Sequence, residues 1–210
     1  MATLTRSGIL RVTMPTDRKD LQARIAATKP SDTARGLTFN ALFDTIEEHL
    51  GREAAVASDP ERKGHRTEFF SYPVADFLRI AFEGADRLEK KLGSVDEAFR
   101  AFGYRTTSNV LGSMMGATMI ALAGKNGLRA LLGQAVTGYR ATVSYGERRL
   151  EWIGPRHARF TFDGDFLVPQ YHCGIFLAAI DAAGAKSERV DGRSTGLLST
   201  VYDVVWIEPK

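Results

Sequence analysis

The triplet Tyr171, His172 and Cys173 opens an apolar segment that follows Pro169, and it is the first candidate for chemistry in the chain. Proline is common at a helix start, where the free amide groups stabilise negative charge. Such a position lowers the pKa of a thiol and would make Cys173 nucleophilic. A lone cysteine is, however, usually a small buried hydrophobe, and adjacent side chains on a helix point apart. The sequence therefore leaves open whether the Cys173 thiol is reactive or buried.

The four histidines show no metal-ligand spacing. His49, His65, His157 and His172 are too widely separated for a His-x-x-x-His pair, and a single thiol offers no zinc knuckle. The chain also lacks a Gly-x-Ser-x-Gly elbow, a phosphate-binding loop and a dinucleotide fingerprint. We therefore predict that the protein is not an enzyme, and we expect no metal and no other cofactor.

A methionine-rich segment with small residues such as Gly112 and Gly116 precedes the triplet. Methionine fills irregular apolar cavities and lines promiscuous pockets. Small residues four positions apart equally allow two helices to approach closely, in a core or in a dimer interface. We expect this segment to pack on the C-terminal strands. The predicted ligand-binding residues are Met114, Met115, Met119, Tyr171, His172 and Cys173.

Helical patterns occupy the first two-thirds of the chain. Pro73 opens and Gly93 closes the longest one, and Ser94 with Glu97 forms a capping box at the start of the next. The predicted helices are 17–28, 39–50, 73–92, 94–103, 110–123, 126–135 and 170–183, with a loop or short helix in 52–66 and a polar break at 105–108.

After Gly138 the apolar period changes to two, which is typical of strands. The predicted strands are 141–145, 149–153, 157–162 and 197–207. The last is apolar on both faces, which favours a central position in the sheet. Helices first and strands later predict an α+β fold, in which an N-terminal helical layer packs on a twisted antiparallel sheet formed mainly by the C-terminal third.

Length and composition restrict the class of protein. We expect an N-terminal extension at 1–15 and a single ligand- or partner-binding domain at 16–210. One cysteine, no signal peptide and no segment long enough to span a bilayer predict a cytoplasmic protein without membrane insertion. The net charge is only +3, and the basic run at 140–159 favours a solvated hairpin face over nucleic-acid binding.

Several stretches carry a family resemblance. These are 32–37 leading into Phe39-Asn40, 72–78, 98–103, 171–174, and a closing Tyr-x-Val-x-Trp strand at 202–206. With them the chain resembles an uncharacterised paralogous family expanded in myxobacteria. It is more distantly similar to the superfamily of four-vinyl-reductase domains, haem nitric-oxide-binding domains and transport-particle subunits. That resemblance implies helices against an antiparallel sheet, frequent dimers and an apolar pocket between the two layers.

The resemblance to haem nitric-oxide-binding domains implies an axial histidine on a helix and a Tyr-x-Ser-x-Arg motif. The nearest match is Tyr145 to Arg149, in which Glu147 replaces the serine. A carboxylate beside two propionates would repel them, and no histidine lies between His65 and His157. The sequence thus disfavours haem.

Together these observations predict a non-enzymatic regulatory or scaffolding module. We expect a homodimer that binds a small apolar ligand between helices and sheet. An adaptor that binds a protein partner without any ligand is the first alternative. A Cys173-dependent enzyme is the second.

Overall fold

A computed structural model describes residues 18–61, 63–123 and 127–207. The helices are α1 (Arg18–Ala26), α2 (Gly36–Leu50), α3 (Arg52–Ala57), α4 (Val74–Leu92), α5 (Val95–Gly112), α6 (Met114–Ala123), α7 (Gly127–Thr142) and α8 (Pro169–Ala182). The strands are β1 (Thr33–Arg35), β2 (Ser71–Pro73), β3 (Glu147–Gly154), β4 (His157–Asp163), β5 (Lys186–Gly196) and β6 (Ser199–Ile207).

The boundary between α4 and α5 follows the chemistry expected from the sequence. Gly93 adopts a left-handed conformation with φ of 95°, which a residue without a side chain adopts readily, and so it ends α4. Ser94 then caps α5, since its hydroxyl accepts a hydrogen bond from the Glu97 amide at 3.1 Å. The predicted capping box therefore marks a true helix start.

The predicted polar break at 105–108 is wrong, because α5 continues through it as far as Gly112. Thr106 lies in the middle of this stretch and is buried. Its hydroxyl donates to the carbonyl of Phe102 at 2.9 Å and also bonds the Tyr171 hydroxyl at 2.8 Å. Polar residues with such partners are compatible with a helix interior. The helix instead ends at Gly112, before Ser113.

The predicted strand at 141–145 is also wrong. Helix α7 extends to Thr142, and Val143 forms only an isolated bridge with Ala34. Strand β5 was not predicted, because its alternation is obscured by charged residues on both faces.

The main sheet is antiparallel with the strand order β3-β4-β6-β5. The predicted central position of the last strand is confirmed, since β6 pairs with both β4 and β5. Tyr202, Val204 and Trp206 lie on its buried face. Val201 and Val205 lie on the opposite face and are half-buried. A small second sheet pairs β1 with β2.

The predicted α+β class is confirmed, with the main sheet formed by the C-terminal strands. Helix α8 packs along α5 on one side and on β5 and β6 on the other. It thereby joins the N-terminal helices to the sheet. The predicted packing of the methionine-rich segment on the C-terminal strands is wrong, because helix α6 makes its main contacts with α5 and α7, whereas α7 and α8 lie on the sheet.

Two glycines set the distance between α5 and α8. A Cβ atom at Gly103 would lie 1.7 Å from the Tyr171 carbonyl oxygen, and one at Gly174 would lie 2.0 Å from the Arg100 carbonyl oxygen. The two backbones are therefore in direct contact at this crossing.

Candidate functional site

An apolar cavity of about 170 Å³ lies between α5, α7 and α8, beside the start of α2. Its lining consists mostly of aliphatic and aromatic side chains, with a few hydroxyl groups. The lining residues are Ala34, Leu37, Thr38, Phe77, Thr106, Thr107, Val110, Leu111, Leu131, Leu132, Gln134, Ala135, Gly138, Tyr139, Thr142, Val143, Tyr145, Leu167, Tyr171, Ile175, Phe176 and Ala179.

The structure separates the residues of the predicted triplet. Tyr171 lines the cavity, and its hydroxyl bonds Thr106. His172 and Cys173 do not line it, because successive positions of α8 face different neighbours. Helix α6 includes Met114, Met115 and Met119, but their side chains lie outside the described part of the structure.

Cys173 lies in a hydrophobic cluster between α8 and the sheet, with 2% of its surface exposed. Burial raises the pKa of the Cys173 thiol to about 12. A thiolate is the reactive form of cysteine. Neither the position nor the protonation state of this thiol supports the predicted alternative of a Cys173-dependent enzyme.

His172 belongs to a buried chain of polar groups behind the cavity wall. Its Nδ1 shares a hydrogen bond with the Tyr139 hydroxyl at 2.7 Å, and its Nε2 lies 3.2 Å from Oδ1 of Asp165. An ionised carboxylate only accepts hydrogen bonds, so His172 Nε2 carries a hydrogen and donates it to Asp165. Asp165 Oδ2 accepts from Arg148 at 2.5 Å. We call Tyr139, His172, Asp165 and Arg148 the polar chain.

The charges of the polar chain stabilise one another. Burial alone would raise the pKa of the Asp165 carboxyl, but His172 and Arg148 outweigh that effect and hold this pKa well below its usual range. The Arg148 guanidinium also lies 4.8 Å from the ring centroid of Tyr139. A buried pair of this kind requires both partners, since either charge alone would be costly.

The loop that carries Asp165 is held from two sides. Asp165 Oδ1 accepts from the Leu167 amide at 2.9 Å. Arg24 of α1 is buried and donates to the carbonyl oxygens of Phe166 and Leu167 at 3.2 and 3.3 Å. Because Leu167 lines the cavity, the loop connects the cavity wall to α1 and to the polar chain.

Sequence reasoning missed most of this site. The basic run was assigned to a solvated face, and Arg149 does lie exposed beside Asp163. Arg148, however, is buried, and it shares the inner face of β3 with the half-buried Leu150 and Trp152. Strand alternation could have indicated this, because residues two apart share a face. Nothing in the sequence marked Asp165 as the partner of Arg148.

The family model described as "Protein of unknown function (DUF2378)" matches residues 27–207. The chain belongs to this family. The predicted membership in an uncharacterised family is thus confirmed, while its expansion in myxobacteria stays a prediction. No curated protein matches the chain. No described helix has the length and apolar character needed to cross a membrane.

Solved structures of H-NOX domains share the fold. An Fe(II) unliganded H-NOX protein from K. algicida is 10% identical, with a TM-score of 0.61, and covers 83% of this chain and 97% of its own. An H-NOX protein from S. oneidensis in the Fe(II)NO ligation state is 12% identical, with a TM-score of 0.60, and covers 83% and 99%. The predicted distant similarity to this superfamily is confirmed for the fold.

A further H-NOX structure, which is 11% identical with a TM-score of 0.60, was solved to probe the function of heme distortion in the H-NOX family. Haem is therefore the group with which the residues of this cavity are compared. The described cavity residues include no histidine or cysteine that could serve as an axial ligand. Both ring nitrogens of His172 are engaged in hydrogen bonds within the protein. Burial raises the pKa of the Tyr139 and Tyr145 hydroxyls well above the ordinary tyrosine value, which keeps both hydroxyls protonated. Glu147 is exposed at the position of the motif serine. The described residues do not fit haem.

Proposed function

We propose that this protein is a non-enzymatic regulatory module that binds a small apolar molecule in the cavity between α5, α7 and α8. The observation that carries the proposal is the cavity itself, with its wall of aliphatic and aromatic side chains. Ligand sites are concave and mostly apolar, with few polar groups. Of the residues predicted for the site, Tyr171 contributes directly to this wall.

The cavity size suggests the size of the ligand. At about 170 Å³ it is slightly larger than the apolar cavities of roughly 150 Å³ that bind benzene. Typical drug-sized ligands occupy pockets of about 300 Å³ or more. We therefore propose a single-ring or short-chain compound as the ligand class.

The polar chain connects the cavity wall to the loop before α8, so it could transmit ligand binding to that loop. Tyr139 lines the cavity and bonds His172, which in turn bonds Asp165 of the loop before α8. A ligand that moves the Tyr139 ring would alter this chain and the loop. Of the arrangements of the loop with and without the bound compound, the ligand favours the one that it binds more tightly. The same contacts offer no catalytic arrangement around a bound compound, which supports a regulatory role.

Thermal unfolding with toluene tests the proposal. At ten times the dissociation constant, a ligand that binds only the folded state stabilises it by about 1.4 kcal/mol. For a chain of this size, that corresponds to a rise in Tm of about 3–6 °C. Ala135→Leu would fill the cavity and should abolish the rise. Ala141→Leu changes an exposed position of the same helix and should preserve it. An unchanged rise in Ala135→Leu would contradict the cavity as the site.

We further propose a homodimer. The support is the outward face of β6, where Val201 and Val205 are only half-buried and Ile207 is 47% exposed. Asp203 lies between the two valines on this face and pairs with His157 and Arg159. Exposed apolar side chains that flank such a polar group favour association. Light scattering at micromolar concentration should give twice the monomer mass, and Val205→Asp should reduce it. A wild-type monomer at every concentration would refute the dimer.

A protein-binding adaptor is the second candidate, and the exposed pair Phe69 and Phe70 favours it. Their exposed fractions are 69% and 65%. The backbone of this turn is held firmly, since the Phe70 carbonyl accepts from the Gly36 amide at 2.9 Å. The adaptor interpretation requires a purified partner that binds the wild type and not F69S/F70S, together with no shift in Tm from any apolar compound.

We propose the cytoplasm as the compartment, because the lone thiol is buried and unpaired.

A further inference from the structure

Tyr145 contributes to the cavity wall a hydroxyl group that no other described residue engages. Its side chain lines the cavity and is 7% exposed. The tyrosine hydroxyl forms no hydrogen bond with any described residue. Buried hydroxyl groups normally have a partner, because an unpartnered one loses its bonds to water without compensation. The unused hydroxyl therefore needs an explanation.

The other buried hydroxyl groups of the described lining are already engaged. Thr38 donates to the Arg35 carbonyl at 2.6 Å. Thr106 and Tyr171 bond each other at 2.8 Å, and Thr106 also donates to the Phe102 carbonyl. The less buried Tyr139 bonds His172. Tyr145 thus differs from every other buried polar side chain of the described lining.

The cavity lies directly beside the Tyr145 side chain. Among the described residues, the fully enclosed side-chain polar atoms without a partner are the Nε atoms of Arg24 and Arg148. The tyrosine hydroxyl is not one of them, although the residue as a whole is buried. Since the side chain borders the cavity, the cavity is the space that a partner of this hydroxyl would occupy.

The surrounding residues hold the Tyr145 ring in place. Phe166 packs edge-to-face on it at 4.8 Å, and the Arg148 guanidinium lies 5.5 Å from its centroid. Arg148 also donates to the Tyr145 carbonyl at 2.5 Å. Gly146 follows with φ of 70°, a left-handed conformation that turns the chain into β3. The donor is therefore oriented before any ligand arrives, which lowers the entropic cost of binding.

We infer that the cavity takes a small ring compound carrying one hydrogen-bond acceptor, and that Tyr145 donates a hydrogen bond to that acceptor. This inference rests on the proposed function and specifies its ligand class. Burial keeps the pKa of Tyr145 well above its ordinary value, so the hydroxyl remains a neutral donor throughout the physiological range. Hydrocarbons of the same size would bind without using it.

Phenol and toluene test the inference, because they match in size and differ in one hydroxyl group. Calorimetric titration should show that Tyr145→Phe weakens phenol binding about tenfold, the effect of one hydrogen bond. Toluene binding should change by less than about twofold. Tyr104→Phe is the control, since it removes a hydroxyl of α5 that lies outside the cavity lining and donates to Asp181 at 2.9 Å. Phenol should bind this variant as tightly as it binds the wild type.

The outcomes separate the two proposals. If toluene binds the wild type and Tyr145→Phe binds phenol as well as the wild type does, the donor role is wrong and the cavity proposal survives. If neither compound binds the wild type, the cavity proposal is wrong and the donor role is wrong with it. The unfolding temperature of Tyr145→Phe should equal or exceed that of the wild type, because the change removes an unpartnered buried hydroxyl. A markedly lower value would mean that the hydroxyl has a structural partner, which also overturns the inference.

Discussion

Gly174→Ala is the substitution that most directly tests how the two layers are held together. Gly174 faces the backbone of α5, where an added Cβ would lie 2.0 Å from the Arg100 carbonyl oxygen and 2.7 Å from the Tyr104 amide nitrogen. Both neighbours are backbone atoms of a helix, so no side-chain rotation can relieve the clash. Ordinary contacts of a methyl group begin near 3.4 Å. The two helices must therefore separate by more than about 1 Å.

The expected loss follows from this separation. A gap of about 0.5–1 Å forfeits a quarter to a half of the dispersion energy of the contacts it opens, and overpacking typically costs about 1–3 kcal/mol or more. Alanine in place of glycine returns up to about 1 kcal/mol of helix propensity. Because α5 and α8 are in contact along much of their length, we expect a net loss of about 2–3 kcal/mol. The corresponding fall in Tm is about 4–12 °C.

Urea unfolding followed by circular dichroism measures this loss, with Gly133→Ala as the control. Gly133 lies exposed on α7, and a Cβ there would meet no atom within 4 Å. The control should gain up to about 1 kcal/mol. Gly103→Ala strains the same crossing, so the double variant should lose less than the sum of the single losses. If Gly174→Ala is as stable as Gly133→Ala, the direct backbone contact between the helices is wrong.

Three further predictions concern buried groups. Asp165→Asn should lower the free energy of unfolding by about 3–5 kcal/mol at pH 7, since it leaves Arg148 buried without its carboxylate. The difference from the wild type should stay constant from pH 8 to about pH 5 and shrink below about pH 4, the ordinary Asp pKa. This direction follows because a depressed folded-state pKa gives stability that is lost as pH falls towards that pKa, and a gap that widens in acid would refute it. Arg148→Met should be tolerated better in the Asp165→Asn background than alone, which a double-mutant cycle of unfolding energies would show and strict additivity would contradict. Cys173 should react with a thiol reagent far more slowly in the native protein than in guanidinium, because it is buried and protonated. Equal rates in the two conditions would place it at the surface.

The sequence predicted best those elements whose ends depend on local chemistry. The boundary between α4 and α5 was predicted correctly. It depends on Gly93, Ser94 and Glu97, which lie close together in the sequence. The apolar pattern of β6 likewise predicted its central place. The cavity has no such local signature. Its wall combines residues from Ala34 to Ala179, and only the packing of α5, α7 and α8 brings them together.

The polar chain shows a second kind of limit. The predicted strand began at Arg149, and Arg148 was assigned to the solvated face. Alternation over the whole of β3 would have placed Arg148 on the inner face with Leu150, but it could not supply the reason for burying a charge. That reason is Asp165, which lies seventeen positions away in a loop without a regular period. The partner of a buried charge becomes visible only when the strand and the loop are packed. From the sequence alone, an arginine is most simply interpreted as exposed to solvent.

Gly103 shows why the helix whose start was predicted correctly was given the wrong end. A glycine that ends a helix and a glycine that admits a neighbouring backbone look the same in sequence, and Gly103 was interpreted as an end. The distinction depends on the partner helix, where Gly174 faces α5 across the same crossing. Both glycines belong to the stretches that carried the family resemblance, so those stretches describe a contact as well as two local structures. Since Thr106 follows one glycine and Tyr171 precedes the other, this contact also fixes the bonded hydroxyl pair on the cavity wall. Separating the helices should therefore weaken toluene binding in Gly174→Ala, even where enough folded protein remains to measure it.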